Sequence, residues 1–187
     1  GSAVQGMRSV TYLQPGERRS CVGCHESTSV VHSGRRILAG QRPPSRITPG
    51  PDGTYPWSFP RLIQPILDKH CVRCHDNGKT PPLLTSVSSG AFTAAYDSLR
   101  PYARWYEWGG DTIRPVITKP GEMPSEHRPL VTVLTDANHT DEVKLSDAEL
   151  RCIYLWLDGN AAFYGSYSRR EQLAQHRGEA IPPPKLQ

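Results

Sequence analysis

Two Cys-x-x-Cys-His runs, Cys21-Val22-Gly23-Cys24-His25 and Cys71-Val72-Arg73-Cys74-His75, constrain this chain more than anything else in it. Two cysteines three positions apart lie on one turn of backbone, so their sulfurs can add to the two vinyl groups of a single porphyrin. The histidine that follows then falls beneath the ring, where its imidazole can bind iron. The pattern is the attachment signature of c-type haem. It predicts two haem c groups, one held by Cys21 and Cys24 with His25 as iron ligand, the other by Cys71 and Cys74 with His75.

Other cysteine chemistries fit less well. A zinc ribbon pairs its Cys-x-x-Cys motifs roughly 15–20 residues apart, whereas 46 residues separate Cys24 from Cys71. Zinc also gives no reason for a histidine directly after each pair. A thioredoxin-like redox pair needs a strand–helix setting that the flanking residues do not offer. The total of five cysteines is odd, against a disulfide framework. The fifth, Cys152, falls within an amphipathic helical pattern and reads as a small buried hydrophobe.

Composition agrees with a chain that needs its cofactors. Apolar residues make up 36% of the 187, below the usual ~45–50%. Sixteen glycines and 18 prolines demand much loop. Such a chain has difficulty burying a sufficient core by itself, and flat apolar porphyrins would supply surface to pack around. The net charge of +4 is scattered, with no basic stripe interleaved with aromatics, so nucleic acid is not an expected partner. No run approaches the ~20 apolar residues that cross a bilayer. No signal peptide is visible, and Gly1-Ser2 has the look of a scar from tag removal. Covalent haem attachment nonetheless implies export, so a periplasmic location is expected.

Three segments are expected. Residues 1–57 hold the first haem motif and a Pro-rich connector (33–57), with Val10, Tyr12 and Leu13 suggesting a short strand and Gln14-Pro15-Gly16 a turn. Residues 58–167 form a second, cytochrome c-like haem domain. Residues 168–187 are expected as a polar surface tail. Within the second domain, residues 59–70 read as a helix with Leu62, Ile63, Ile66 and Leu67 on one face; Pro65 should kink it or delay its true start. Residues 77–90 read as loop and 91–108 as helix, bearing Phe92, Tyr96, Leu99, Tyr102, Trp105, Tyr106 and Trp108. Residues 109–128 return to loop, and Leu130, Val131, Val133 and Leu134 suggest a short helix or turn. The clearest helix spans 147–158. Ser146 and Glu149 make a capping box, Leu150, Ile153, Tyr154 and Leu157 repeat at helical spacing, and Gly159 supplies the stop. The expected fold class is mainly α and loop-rich, with two packed cytochrome c-like haem domains.

A sixth iron ligand decides what a haem can do. Met7, His32, His70, Met123, His127, His139 and His176 are the candidates. For the second haem the preferred ligand is His139, in a polar loop just ahead of the capped helix, with His127 and Met123 as alternatives. For the first haem, His32 and an open iron remain the choices. His70 abuts Cys71 and is expected to support the site rather than bind iron. His176 is expected in solvent.

Several ordered runs resemble the haem-bearing C-terminal half of the hydrazine synthase alpha subunit family. They are Pro15-Gly16-Glu17-Arg18-Arg19-Ser20, Arg42-Pro43-Pro44-Ser45-Arg46, Phe59-Pro60-Arg61 through Ile66-Leu67-Asp68-Lys69-His70, and Trp156-Leu157-Asp158 with Tyr164-Gly165. The resemblance spans roughly residues 10–167. It implies a catalytic first haem and a bis-histidine second haem, with His75 and His139 as the pair. One departure stands out. Ser29 occupies the place of the family's iron-binding tyrosine, and this chain carries no propeller to complete that site, so His25 is expected to bind its own iron.

These readings converge on a dihaem electron carrier serving a redox partner protein, with self-association into a homo-oligomer left open. The alternative is a haem enzyme whose open first haem acts on small nitrogenous molecules or peroxide.

Overall fold

The computed structural model describes residues 14, 16, 17, 29, 31, 41–43, 46, 55–77, 80–104 and 129–183. The first motif (Cys21, Cys24, His25), Met7, the strand expected at 10–13, His32, Met123, His127, Trp105, Tyr106 and Trp108 lie outside the described residues. The chain divides into two compact units, Met7–Pro49 and a larger one of Gly50–Gln187 with Gly1–Gly6. In the smaller unit the turn expected at Gln14 is present. Glu17 N donates to Gln14 O at 2.9 Å, and Gly16 takes φ +76°, the left-handed value that the third position of a type II turn requires.

The described part of the larger unit contains helices α1 (Phe59–Leu62), α2 (Gln64–His70), α3 (Ala94–Ala103), α4 (Pro129–Leu134), α5 (Ala137–Thr140), α6 (Asp147–Asp158) and α7 (Arg169–His176). A two-stranded hairpin, β1 (Ser88–Ser89) and β2 (Phe92–Thr93), precedes α3. About 46% of the described residues are helical, and much of the remainder is loop.

The helix expected over 59–70 breaks at Ile63. Pro65 has no N–H to donate and its ring crowds the preceding turn, so it starts a new helix rather than continuing the old one. The Ile63 carbonyl launches α2 by accepting from Ile66 N at 3.0 Å and Leu67 N at 3.1 Å. Ile63, Ile66 and Leu67 are buried together with Phe59, while Leu62 is half-buried.

The hairpin occupies the end of what reads as loop. Its register pairs Ser88 with Thr93 and Ser89 with Phe92, and Gly90 at φ +61° opens the two-residue turn. The following helix therefore begins at Ala94, where Thr93 Oγ1 accepts from Tyr96 N. Phe92 packs from the strand against Tyr96 and Phe163.

Phe59, Tyr96, Trp156 and Phe163 form the solid centre of the core, each no more than 2% exposed. Their rings meet edge-on, stacked or tilted at 4.9–6.5 Å between centroids. The polar ends of two of them are satisfied in one loop: Tyr96 Oη donates to Ala161 O at 2.8 Å and Trp156 Nε1 to Ala162 O at 3.0 Å. That loop ends α6. Gly159 caps the helix as expected but at a negative φ. The left-handed conformation falls instead on Asn160 (φ 60°) and Ala161 (φ 52°), both buried.

The C-terminal segment is more than the surface tail expected after Tyr167. Residues 169–176 form α7, which packs against α1 and buries Gln175 to 1% exposure. Gln175 Nε2 donates to Trp57 O at 2.7 Å, and its Oε1 accepts from Gly165 N at 3.0 Å. Gly165 is required there because a Cβ would lie 2.3 Å from Trp57 N and 2.4 Å from Trp57 O. His176, expected in solvent, is part-buried with Nε2 3.1 Å from Phe92 O.

Replacing Gln175 with Leu would remove both hydrogen bonds, to the part-buried Trp57 carbonyl and to the Gly165 amide. At ~0.5–1.5 kcal/mol net for each bond, Gln175→Leu should lower the unfolding free energy by roughly 1–3 kcal/mol. Urea titration with an unchanged slope checks it.

Candidate functional site

Helix α2 leads directly into the second Cys-x-x-Cys-His run. Cys71 N donates to Leu67 O at 2.8 Å, and Cys74 N and His75 N both bond Cys71 O at 3.1 Å, so the motif continues the helical path as tight turns. Beside it lies a cavity of about 410 Å³. Ile63, with Ile66 and Leu67 of α2, forms one wall, and Leu99 and Tyr102 of α3 another. Leu130, Val133 and Leu134 of α4 and Ile153 and Trp156 of α6 close the rest. Cys71, Cys74, His75 and His139 all line this same space.

His75 is oriented by two carbonyls. Its Nδ1 lies 3.0 Å from Thr80 O and 3.0 Å from Pro82 O. Carbonyl oxygens only accept, so Nδ1 carries the hydrogen and Nε2 keeps its lone pair for a metal. Leu84 N also donates to His75 O at 2.9 Å, fixing the backbone of the residue. Carbonyl partners of this kind fix the tautomer and orientation of an imidazole.

Cys71 and Cys74 are free thiols, the first half-buried and the second exposed. Burial pushes the Cys71 thiol up to about 11, outweighing the nearby Arg73. Reactive and metal-binding cysteines lie on the other side of the ordinary value. Among the described residues no group of three or more His, Cys, Asp or Glu side chains could hold a bare metal ion.

His139 stands on α5 rather than in the loop expected for it. Its N–H donates to Asp136 O at 3.0 Å, and its carbonyl accepts from Glu142 N at 3.1 Å and Val143 N at 2.7 Å. It also lines a second cavity of about 240 Å³ with Thr132, Val133 and Asp136. His70, next to Cys71, lines the larger cavity and brings Nε2 to 3.1 Å from Glu149 Oε1. Cys152, expected to be buried, is half-buried with Sγ 3.8 Å from Leu62 O. Ser29 is exposed in a turn.

Two polar links join the walls. Lys69 Nζ donates to Glu149 Oε1 at 2.9 Å, tying the end of α2 to the start of α6. Arg73 Nη2 donates to Glu142 O at 2.6 Å and to Glu142 Oε2 at 3.0 Å. Neither partnership is readable from the sequence. Arg73 is visible inside the motif, but its acceptor lies 69 residues away.

Comparison with known families finds a similarity at the start of the chain. The family described as hydrazine synthase alpha subunit, middle domain, matches residues 1–26, a stretch that includes Cys21, Cys24 and His25. The similarity read from the sequence over residues 10–167 is shared by this comparison only as far as residue 26. No curated protein and no solved structure matches the chain. Among the described residues no helix is long and apolar enough to cross a membrane.

Glu149 supplies a pH test of the frame. The Ser146 backbone N–H, then the Lys69 ammonium, the Ser146 hydroxyl and His70, hold its carboxyl well below the usual carboxylate range. A depressed folded value means stability present above the unfolded value and lost as pH falls below it. The thermal midpoint of the parent should therefore exceed that of Glu149→Gln near neutral pH. The gap should close as pH falls below about 4.5, the ordinary value of the group; melting curves across the acid range read it.

Proposed function

We propose that the chain is a c-type cytochrome with two covalently attached haems, relaying single electrons to a redox partner protein in the periplasm. One observation carries the reading of the second haem. Cys71, Cys74 and His75, a signature fixed by local spacing, share an apolar cavity of about 410 Å³ with His139, a residue 64 positions beyond His75. When bound there, haem supplies a one-electron couple at its iron.

The residues divide the work. Cys71 and Cys74 anchor the macrocycle. His75, its Nδ1–H committed to Thr80 O and Pro82 O, offers Nε2 in a fixed orientation. His139 offers the second imidazole. The aliphatic side chains of α2, α4 and α6 would pack against the ring on its apolar faces. In the first motif Cys21, Cys24 and His25 are assigned the same three roles from their sequence pattern alone.

A second reading draws on the family match. Because the similarity to the hydrazine synthase middle domain includes the first motif, that haem could belong to an enzyme related to hydrazine synthase, open to small nitrogenous molecules or peroxide. The absorption spectrum of the oxidised protein separates the two readings. Two low-spin haems support a pure carrier; a high-spin band that shifts on adding ligands supports the enzyme.

Two outcomes follow for the holoprotein. Acid acetone should leave the colour with the polypeptide, and mass spectrometry should find two tetrapyrroles bound; solvent-extractable haem would overturn the reading. His139→Ala should convert one haem from low to high spin, and an unchanged spectrum would remove His139 from the iron.

A further inference from the structure

The cavity walls that carry the two imidazoles are joined by Arg73. The guanidinium grows from the segment between Cys71 and Cys74, two residues before His75. It donates to the carbonyl oxygen and the carboxylate of a single residue, Glu142, at 2.6 and 3.0 Å. Glu142 N in turn donates to His139 O at 3.1 Å. Arg73, His75, His139 and Glu142 all line the same cavity. Two hydrogen bonds and one residue thus separate the haem-attachment turn from the backbone of His139.

We propose that Arg73 is a positioning residue: by gripping Glu142 it holds His139 within reach of the iron bound by His75, and so keeps the second haem closed to small exogenous ligands. The inference rests on the dihaem reading above and deepens it. A single charged nitrogen, Nη2, engages carbonyl and carboxylate together, one hydrogen to each. Arg73 and Glu142 are 53% and 71% exposed, and pairs as exposed as this contribute little to global stability. Their effect falls on a local equilibrium. His139 must leave the iron before another ligand can enter, so the population of the detached state sets the rate of capture.

The test is carbon monoxide capture by the reduced holoprotein after rapid mixing. His139→Ala first identifies the kinetic phase that belongs to the second haem. In Arg73→Met that phase should accelerate roughly three- to fivefold, with the thermal midpoint unchanged. Arg73→Lys, which keeps the charge and donors, should recover most of the parent rate. If His139→Ala accelerates capture but Arg73→Met captures at the parent rate, the positioning role is wrong and the ligand assignment stands. If His139→Ala itself leaves capture unchanged, the ligand assignment fails and takes this role with it. Should Arg73→Met not mature, Glu142→Lys sets a like charge against Arg73 from an exposed position. It must give the same acceleration, and a parent rate there overturns the proposal.

Discussion

An apolar hollow, rather than an apolar core, is the constraint around which the larger unit is built. Cys71, Cys74 and His75, nominated by their spacing, and His139, nominated by its place ahead of the capped helix, all line that hollow. Trp156 and Ile153 show how closely hollow and core are joined: each is buried in the core and also forms the cavity wall. Helix α6 cannot shift without disturbing both.

The frame around the hollow is held by groups that do several things at once. Glu149 receives the Ser146 N–H at the start of α6 while accepting from Lys69 and facing His70 at the end of α2. The partial positive charge of one helix start and the partial negative charge of the other helix end are thus each met by a side chain of suitable sign. The same few atoms cap one helix and dock it on its neighbour. His75 is comparably over-determined, its ring by two carbonyls and its backbone by Leu84. On the proposed reading, that rigidity would hold the imidazole ready for the iron in either oxidation state.

What could be read from the sequence was what is local. The Cys-x-x-Cys-His spacing, the capping box of Ser146 and Glu149, the buried face of Ile63, Ile66 and Leu67 and the turn near Gly16 are all decided within a few residues. What could not be read depends on partners distant in the chain. Helix α7 has too polar a sequence to announce itself, and it packs because one buried glutamine satisfies a carbonyl 118 residues earlier and an amide 10 residues earlier. The hairpin at 88–93 is too short for strand periodicity to register. His139 stood out by type and position, but its short helix is set by hydrogen bonds to Asp136, Glu142 and Val143 that no pattern foretells.

The two attachment motifs differ at one position in a way that the second site makes meaningful. Where the second carries Arg73, the first carries Gly23. A glycine has no side chain to cross a cavity mouth, so the grip on Glu142 has no counterpart within the first motif. On the proposed reading, the paired cysteines and the histidine would supply attachment and one iron ligand, and these residues are common to both motifs. Whether a second ligand is held in place is left to the two residues between the cysteines and to whatever they can reach. On the same proposed reading, one short motif repeated with a single change of side chain would give an iron braced against exogenous ligands and another without that brace. The similarity of residues 1–26 to a hydrazine synthase domain falls on the motif that carries Gly23.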